Sequence, residues 1–343
     1  MTVTRTRFVT AILLTVLSAA SLTACIGNQP MPVPSYTPSY KAPDPTGLAP
    51  LRGTTIPAGT LANPSLAAKV DNHEEARPQY GLQHADIVFE ELVEGGLTRY
   101  VAFWQSDIPA QIGPVRSIRP MDPDIITPFG GIVAYSGGQQ RFVQMMLDTP
   151  IYNIIDGSEA AEDVLYRTTD KDAPHNVGVA AQTIIAAHMD MGPPPQMFAY
   201  SSSTETSSAV RDGGPGSSIN VIFSDERYPM WVYDPTVEGY LRYQEGDVAD
   251  MNSDGGQITA TNVVVMMVGV DWQYSPVPRT IMVDSGEAWV STGGKTIHAT
   301  WSKDSRESRI RLTDDFGMTV RLAPGNTWVE MPPREDGSVV INP

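Results

Sequence analysis

DNHEEARP (Asp71–Pro78), ADIVFEELVEGGLTRY (Ala85–Tyr100) and GPVRSIRP (Gly113–Pro120) are the stretch around which the chain is ordered. Between Asp71 and Asp122, nine acidic residues and four arginines are threaded through runs rich in Val, Ile, Phe and Tyr. A packed core does not require that much charge, so a site is expected here. Ile87–Val93 and Thr98–Gln105 read as strands, and Gly95-Gly96 between them is a tight-hairpin signal. A two-residue loop would set Leu92 opposite Arg99 and Glu90 opposite Val101. Glu90 and Arg99 would then share a face as diagonal neighbours, roughly 7–8 Å apart at the backbone, with Glu91 on the other face. Among apolar residues such a pair is either a structural ion pair or part of a ligand-facing site.

Working outward, Leu66–Val70 reads as a strand that delivers Asp71-Asn72-His73-Glu74 to its exit, where sites often form. Asp71 and His73 are of metal-ligand type, with His175 as a third, or His73 is a general base. The competing reading is a loop in which Asp71 and Asn72 cap backbone amides. No HExxH or paired-histidine spacing occurs, and neither a metal nor a cofactor is called for. Arg77, Arg99, Arg116 and Arg119 are the only Arg or Lys residues from Asp71 to Asp122. Their guanidinium forks suit carboxylates or phosphates, and Glu90, Glu94 and Asp122 are available to pair with them. Arg167, Lys171, His175 and Asn176 form a second polar cluster.

The region 59–200 mixes strand signals with two helical ones, Gln139–Leu147 and Val177–Met191. In the second, Ala181, Ile184, Ile185 and His188 fall on one face. Asn176 is placed to cap it, and Gly192 with three prolines stops it. Residues 201–218 (SSSTETSSAVRDGGPGSS) are a Ser/Gly-rich linker signal. From 219 to 343 short β-branched and aromatic runs recur between turns, which predicts a mainly antiparallel β domain. The expected class is α+β, an N-terminal mixed α/β domain followed by that β domain. Trp272, Trp289, Trp301 and Trp328 are candidate contacts if exposed, and core residues otherwise.

The remaining N-terminal segment has the form of an export signal. Arg5 and Arg7 precede an apolar run, Phe8–Leu22, and Leu22-Thr23-Ala24-Cys25 has lipobox form with the chain's single cysteine. Residues 1–25 are therefore a lipoprotein signal peptide, with Cys25 as the acylated residue and the membrane as partner through its lipid. Residues 26–58 are a tether, carrying six prolines between 30 and 45. Processing would remove two arginines and no acidic residue, taking the formal charge from −16 to −18. An acidic chain without basic clusters argues against nucleic acid as a ligand.

The motifs quoted above, with APHN (Ala173–Asn176), TNVVVMMVGV (Thr261–Val270), Ala299–Leu312 and PGNTWVEM (Pro324–Met331), resemble the YerB-like family of bacterial lipoproteins from about Leu61 to Pro332. The resemblance implies two parts, N-terminal mixed α/β and C-terminal β-rich, and no established enzyme activity; the 201–218 segment departs from it. The expected function is a lipid-anchored protein of the cell membrane's extracytoplasmic face that binds rather than catalyses. Its cleft, of Asp71, His73, Arg77, Glu90, Glu94, Arg99, Arg116, Arg119, His175 and Asn176, would take an anionic or peptide-like ligand such as a wall fragment or a segment of an envelope protein. The alternative is a wall-directed hydrolase or transferase using Glu90 or Glu94 with His73 or His175.

Overall fold

The apolar runs with strand propensity are strands: Leu66–Asp71, Ile87–Leu92, Thr98–Trp104 and Ile132–Tyr135. The computed structural model describes residues 41–343. The signal segment, Cys25 and the first part of the tether lie outside them. The four strands belong to one sheet of eleven. Thr98–Trp104 is flanked antiparallel by Ile87–Leu92 and Leu66–Asp71, and Ile132–Tyr135 then Tyr152–Ile155 continue in parallel. On the other side Thr327–Met331 lies parallel between Ile87–Leu92 and Asn262–Met266. Ser285–Thr292 and Lys295–Ser302 extend the sheet antiparallel from there. The sheet is thus continuous between residues from both halves of the sequence.

Strands buried on both faces read as unbroken apolar runs, and that is the reason for VVVM and IVF here. Ala67, Phe89, Val101 and Phe103 face the short helices Asp122–Ile126 and Gln140–Leu147, with Phe103 stacked on Phe129 at 3.6 Å. Ala68, Val88, Tyr100, Val263 and Trp328 face a six-stranded antiparallel sheet that contributes Ile219, Val221, Trp231 and Tyr240. Trp301 and Trp328 are core; of the four tryptophans named from sequence, Trp272 is the one more than half exposed, at 53 %.

The α+β expectation, with its N-terminal mixed α/β domain, is corrected: the protein is mostly β. The described residues contain four α-helices of five to eight residues against twenty-four strands. The Val177–Met191 signal shows why. Val177–Ala180 is a strand paired with Leu165–Arg167 and Gln111–Ile112, as its β-branched valines prefer. Only Ala181–Ala187 is α-helical, with Ala181, Ile184 and Ile185 on the buried face, and Met189–Met191 is a 3-10 turn. Asn176 caps no helix; its amide donates to Thr168 O at 3.1 Å and its carbonyl accepts from Arg167. The Ser/Gly-rich segment includes a turn of helix, Ser208–Asp212, with Ser207, Ser208 and Ala209 buried.

The hairpin register also differs from the reading above. Val93 N–H donates to Leu97 O at 2.7 Å, so the turn holds five residues, with Gly95 and Gly96 at φ 71° and 72°. Both lie in the left-handed region that glycine enters without strain. Leu92 consequently faces Thr98, Glu91 faces Arg99 and Glu90 faces Tyr100. A one-residue change moves every side chain to the other face. Glu91 therefore lies with Arg99, and Glu90 is turned away from it.

On that second face Glu90 enters a sealed cluster. Arg242, fully buried, donates to both Glu90 and Asp250, while Trp231 Nε1–H donates to Glu330 at 2.8 Å. Glu330 is the direct strand partner of Glu90. Three buried carboxylates against one guanidinium leave excess negative charge. Burial pushes the Glu330 carboxyl well up, and neighbouring Glu90 pushes it further, so it keeps its proton. The folded state holds that proton where an unfolded glutamate loses it, above about pH 4.3. Folding stability therefore falls as pH rises from there toward the folded pKa. Glu330→Gln should melt higher than the parent at neutral pH, with the difference shrinking toward about pH 4. Thermal melts across that range measure it; a variant less stable at every pH contradicts a protonated Glu330.

Candidate functional site

The site lies where the strand ends meet the Gly113–Pro120 crossing. Asp71 N–H donates to Pro114 O at 2.9 Å and Arg116 N–H to Lys69 O at 2.8 Å, which lays the GPVRSIRP segment along Leu66–Asp71. Asp71 is the last residue of its strand, directly opposite Arg99 and almost fully buried. Its Oδ1 accepts from His73 N–H at 3.1 Å and its Oδ2 lies 2.7 Å from His175 Nδ1. Arg116 Nε is 3.2 Å from the same oxygen, yet its buried N–H completes no hydrogen bond.

His175 reaches Asp71 from far along the chain. Thr168 N–H to Asn176 O, at 2.8 Å, and the Asn176 amide to Thr168 O close the loop that carries it, and His175 N–H donates to Asp172 O. The ring then stacks on His73 with centroids 4.4 Å apart.

These elements enclose a pocket of about 260 Å³ lined by Asp71, His73, Glu94, Thr98, Arg99, Arg116, Arg119 and His175, with Val93 and Leu97. Arg99 is held by Nη1–H to Ser117 O at 3.0 Å, and Arg119 by Ser117 O, Ile118 O and Glu94, the last at 2.8 Å. Burial, and next the charge of Arg119, lower the Arg99 guanidinium to about 10 against the pull of Asp71. Burial would raise the Glu94 carboxyl, but the hydrogen bond and charge of Arg119 hold it below its ordinary value. Three guanidiniums against two carboxylates leave the pocket electropositive in an acidic protein.

Beneath it lies a buried support. Lys69 donates to Glu91 and, at 2.8 Å, to Asp122, whose other oxygen accepts from Arg119 N–H at 2.5 Å. Burial lowers the Lys69 ammonium to about 8, against the opposing pull of Asp122. The isolated lysine in LAAKVD is the sequence signal for this support.

The structure brings Asp71, His73, Glu94, Arg99, Arg116, Arg119 and His175 together and leaves three of the candidate residues apart. Arg77 donates to Asn72 Oδ1 at 3.0 Å and faces Glu245 in an adjoining groove. Glu90 lies behind the sheet, and Asn176 closes the histidine loop. Sequence reasoning missed Thr98 at the pocket's edge and Glu75, whose Oε2 is 3.3 Å from His175 Nε2.

Residues 51–192 match the family model described as the DUF3048 N-terminal domain and residues 219–329 the DUF3048 C-terminal domain, a family described as proteins of unknown function. YerB of Bacillus subtilis (strain 168), which is named as a lipoprotein, is 26% identical over 302 residues, 85% of this chain and 88% of that protein. The crystal structure of YerB from Bacillus subtilis superposes with a TM-score of 0.73 at 22% identity, covering 86% of this chain and 99% of the other. The chain belongs to the YerB-like family.

Asp71 and Glu75 touch the same histidine but differ in burial, and they should differ in cost. Asp71→Ala strips the acceptor from His175 and His73 and leaves Arg116 and Arg99 without their nearest carboxylate, for a loss of about 3 kcal/mol. Glu75→Ala, at a residue 66 % exposed in its side chain, should stay within about 0.5 kcal/mol. Denaturant unfolding of both variants checks the contrast.

Proposed function

We propose that this protein is a lipoprotein, anchored through Cys25 on the extracytoplasmic face of the cell membrane, that binds an anionic group in the pocket between Asp71 and Arg119. The membrane anchorage rests on the lipobox and on the lipoprotein name of its Bacillus relative. The pocket reading rests on one observation: Arg99, Arg116 and Arg119 converge on a single cavity. A carboxylate or phosphate is the group that several guanidinium donors satisfy together. The cavity is small enough to hold the charged end of a ligand and open enough for the remainder to leave it. A peptide or wall fragment ending in a carboxylate has that form. Glu94 and Asp71 serve as counter-charges that hold the arginines extended before the ligand arrives.

The hydrogen bond of 2.7 Å between Asp71 and His175 supports a second reading, in which the oriented imidazole is an acid/base group of a wall-directed hydrolase or transferase. In that reading Glu94, not the sealed Glu90, is the carboxylate within the same cavity.

Calorimetric titration with peptides ending in a free carboxylate, with their amidated forms and with inorganic phosphate should give binding to an anion. Arg99→Ala and Arg116→Ala, each losing one charge-assisted contact, should weaken it by roughly 10-fold or more. Binding equally strong to amidated peptides, or unchanged in folded arginine variants, defeats the anion reading. Turnover of a wall fragment that disappears in His175→Ala would favour the enzyme.

A further inference from the structure

His73, Glu75 and His175 each offer a ligand atom, and the three atoms lie within 4.8 Å of one another. Of the ligand types read from sequence, Asp71, His73 and His175, folding sets His73 and His175 together and adds Glu75 from the short turn after His73, with Asp71 behind His175. We propose that these three side chains bind a divalent transition-metal ion of the zinc class at the rim of the arginine pocket.

The geometry around His175 carries the inference. Its Nδ1 is 2.7 Å from the buried Asp71 carboxylate, which fixes the ring proton on Nδ1 and leaves the Nε2 lone pair free. That Nε2 lies 3.3 Å from Glu75 Oε2. Two ligand atoms bound at 2.0–2.1 Å to a tetrahedral ion are about 3.3 Å apart, so this pair stands at ligand spacing. His73 shows the same outer arrangement less tightly. Its Nδ1 accepts from Glu75 N–H at 3.2 Å and lies 3.7 Å from the Glu74 carboxylate. Ligation through Nε2 places the ring proton on Nδ1 and exchanges the first contact for the second. Each imidazole would then have a carboxylate behind it, the outer arrangement that orients histidine on a metal and raises its basicity.

Two nitrogens and one carboxylate oxygen suit zinc, leaving a fourth position for water or ligand. Closing the remaining distance needs rotamer adjustment of Glu75 and His73, whose side chains are 66 % and 35 % exposed, and release of His73 Nδ1 from Glu75 N–H. His298, with Asp315 at 2.6 Å and Glu287 at 3.5 Å, is an exposed histidine–carboxylate group that offers one imidazole, not two. It serves as an internal control.

The test is metal titration of the chelator-washed, untagged full-length protein in detergent, by calorimetry with zinc and by the visible absorption of cobalt(II). One ion per chain is expected, with binding lost in His175→Ala and Glu75→Gln and retained in His298→Ala. Asp71→Asn should weaken zinc about 10- to 100-fold through His175. Should that buried variant fail to fold, the exposed Glu75→Gln carries the test alone. Absence of stoichiometric binding, or binding unchanged in His73→Ala, His175→Ala and Glu75→Gln, overturns the site. Arg119→Ala removes an anion contact and no metal ligand, so it should keep its zinc affinity. Failure of the metal site and failure of the anion reading are thereby separable.

Discussion

The register of Ile87–Leu92 against Thr98–Trp104 is the constraint on which the rest depends. In a sheet covered on both sides, each position has a face, and the charged residues at the strand ends are divided accordingly. Lys69, Asp71, Glu91 and Arg99 go to one side; Asn72, Glu90, Thr98 and Tyr100 go to the other. Two polar sites therefore stand back to back across one sheet. A shift by a single residue would drive Arg99 toward Tyr100's apolar neighbours and Glu90 toward the pocket, leaving buried charges without partners on both sides. The five-residue turn around Gly95 and Gly96 fixes the alignment that avoids this.

The two sites differ in access, the rear one being fully buried and the front one lining a pocket. Behind the sheet Arg242 is enclosed by Glu90 and Asp250, with the rings of Tyr100, Trp231 and Trp328 at 5.1–5.7 Å. In front, Arg99 and Arg119 rest on backbone carbonyls, Arg119 also on Glu94, and Arg116 lies against Asp71. Lys69 and Asp122 support Arg119 from beneath, so the pocket is shaped before anything enters it.

Much of this was legible from residue patterns, and what was not has identifiable causes. Strand propensity located Leu66–Asp71, Ile87–Leu92 and Thr98–Trp104 to within a residue, because their β-branched and aromatic content is unambiguous. The density of arginine and carboxylate pointed to the segment from which Arg99, Arg116 and Arg119 line one pocket. Helix content was overestimated because Val177 and Val179 continue the apolar pattern of Ala181–Ala187 while pairing in a sheet. The exchange of Glu90 and Glu91 followed from assuming the shortest loop that Gly-Gly permits; turn length is not written in two glycines. Arg242, 152 residues from Glu90, could be assigned only by folding. So could His175, 104 residues from Asp71.

Thr327–Met331 sits at the middle of the large sheet, parallel to Ile87–Leu92 on one side and Asn262–Met266 on the other. Chain order and spatial order are thus at odds. The hydrogen-bonding edge of Ile87–Leu92 waits for a segment that emerges some 240 residues later, the separation of paired Ile87 and Thr327. A chain made from its N-terminus presents that unpaired apolar strand until almost all of it has been made. Its maturation is therefore governed by the last strands to arrive, and premature termination before residue 327 would leave the first-made strands as an open template for aggregation rather than as a smaller working protein.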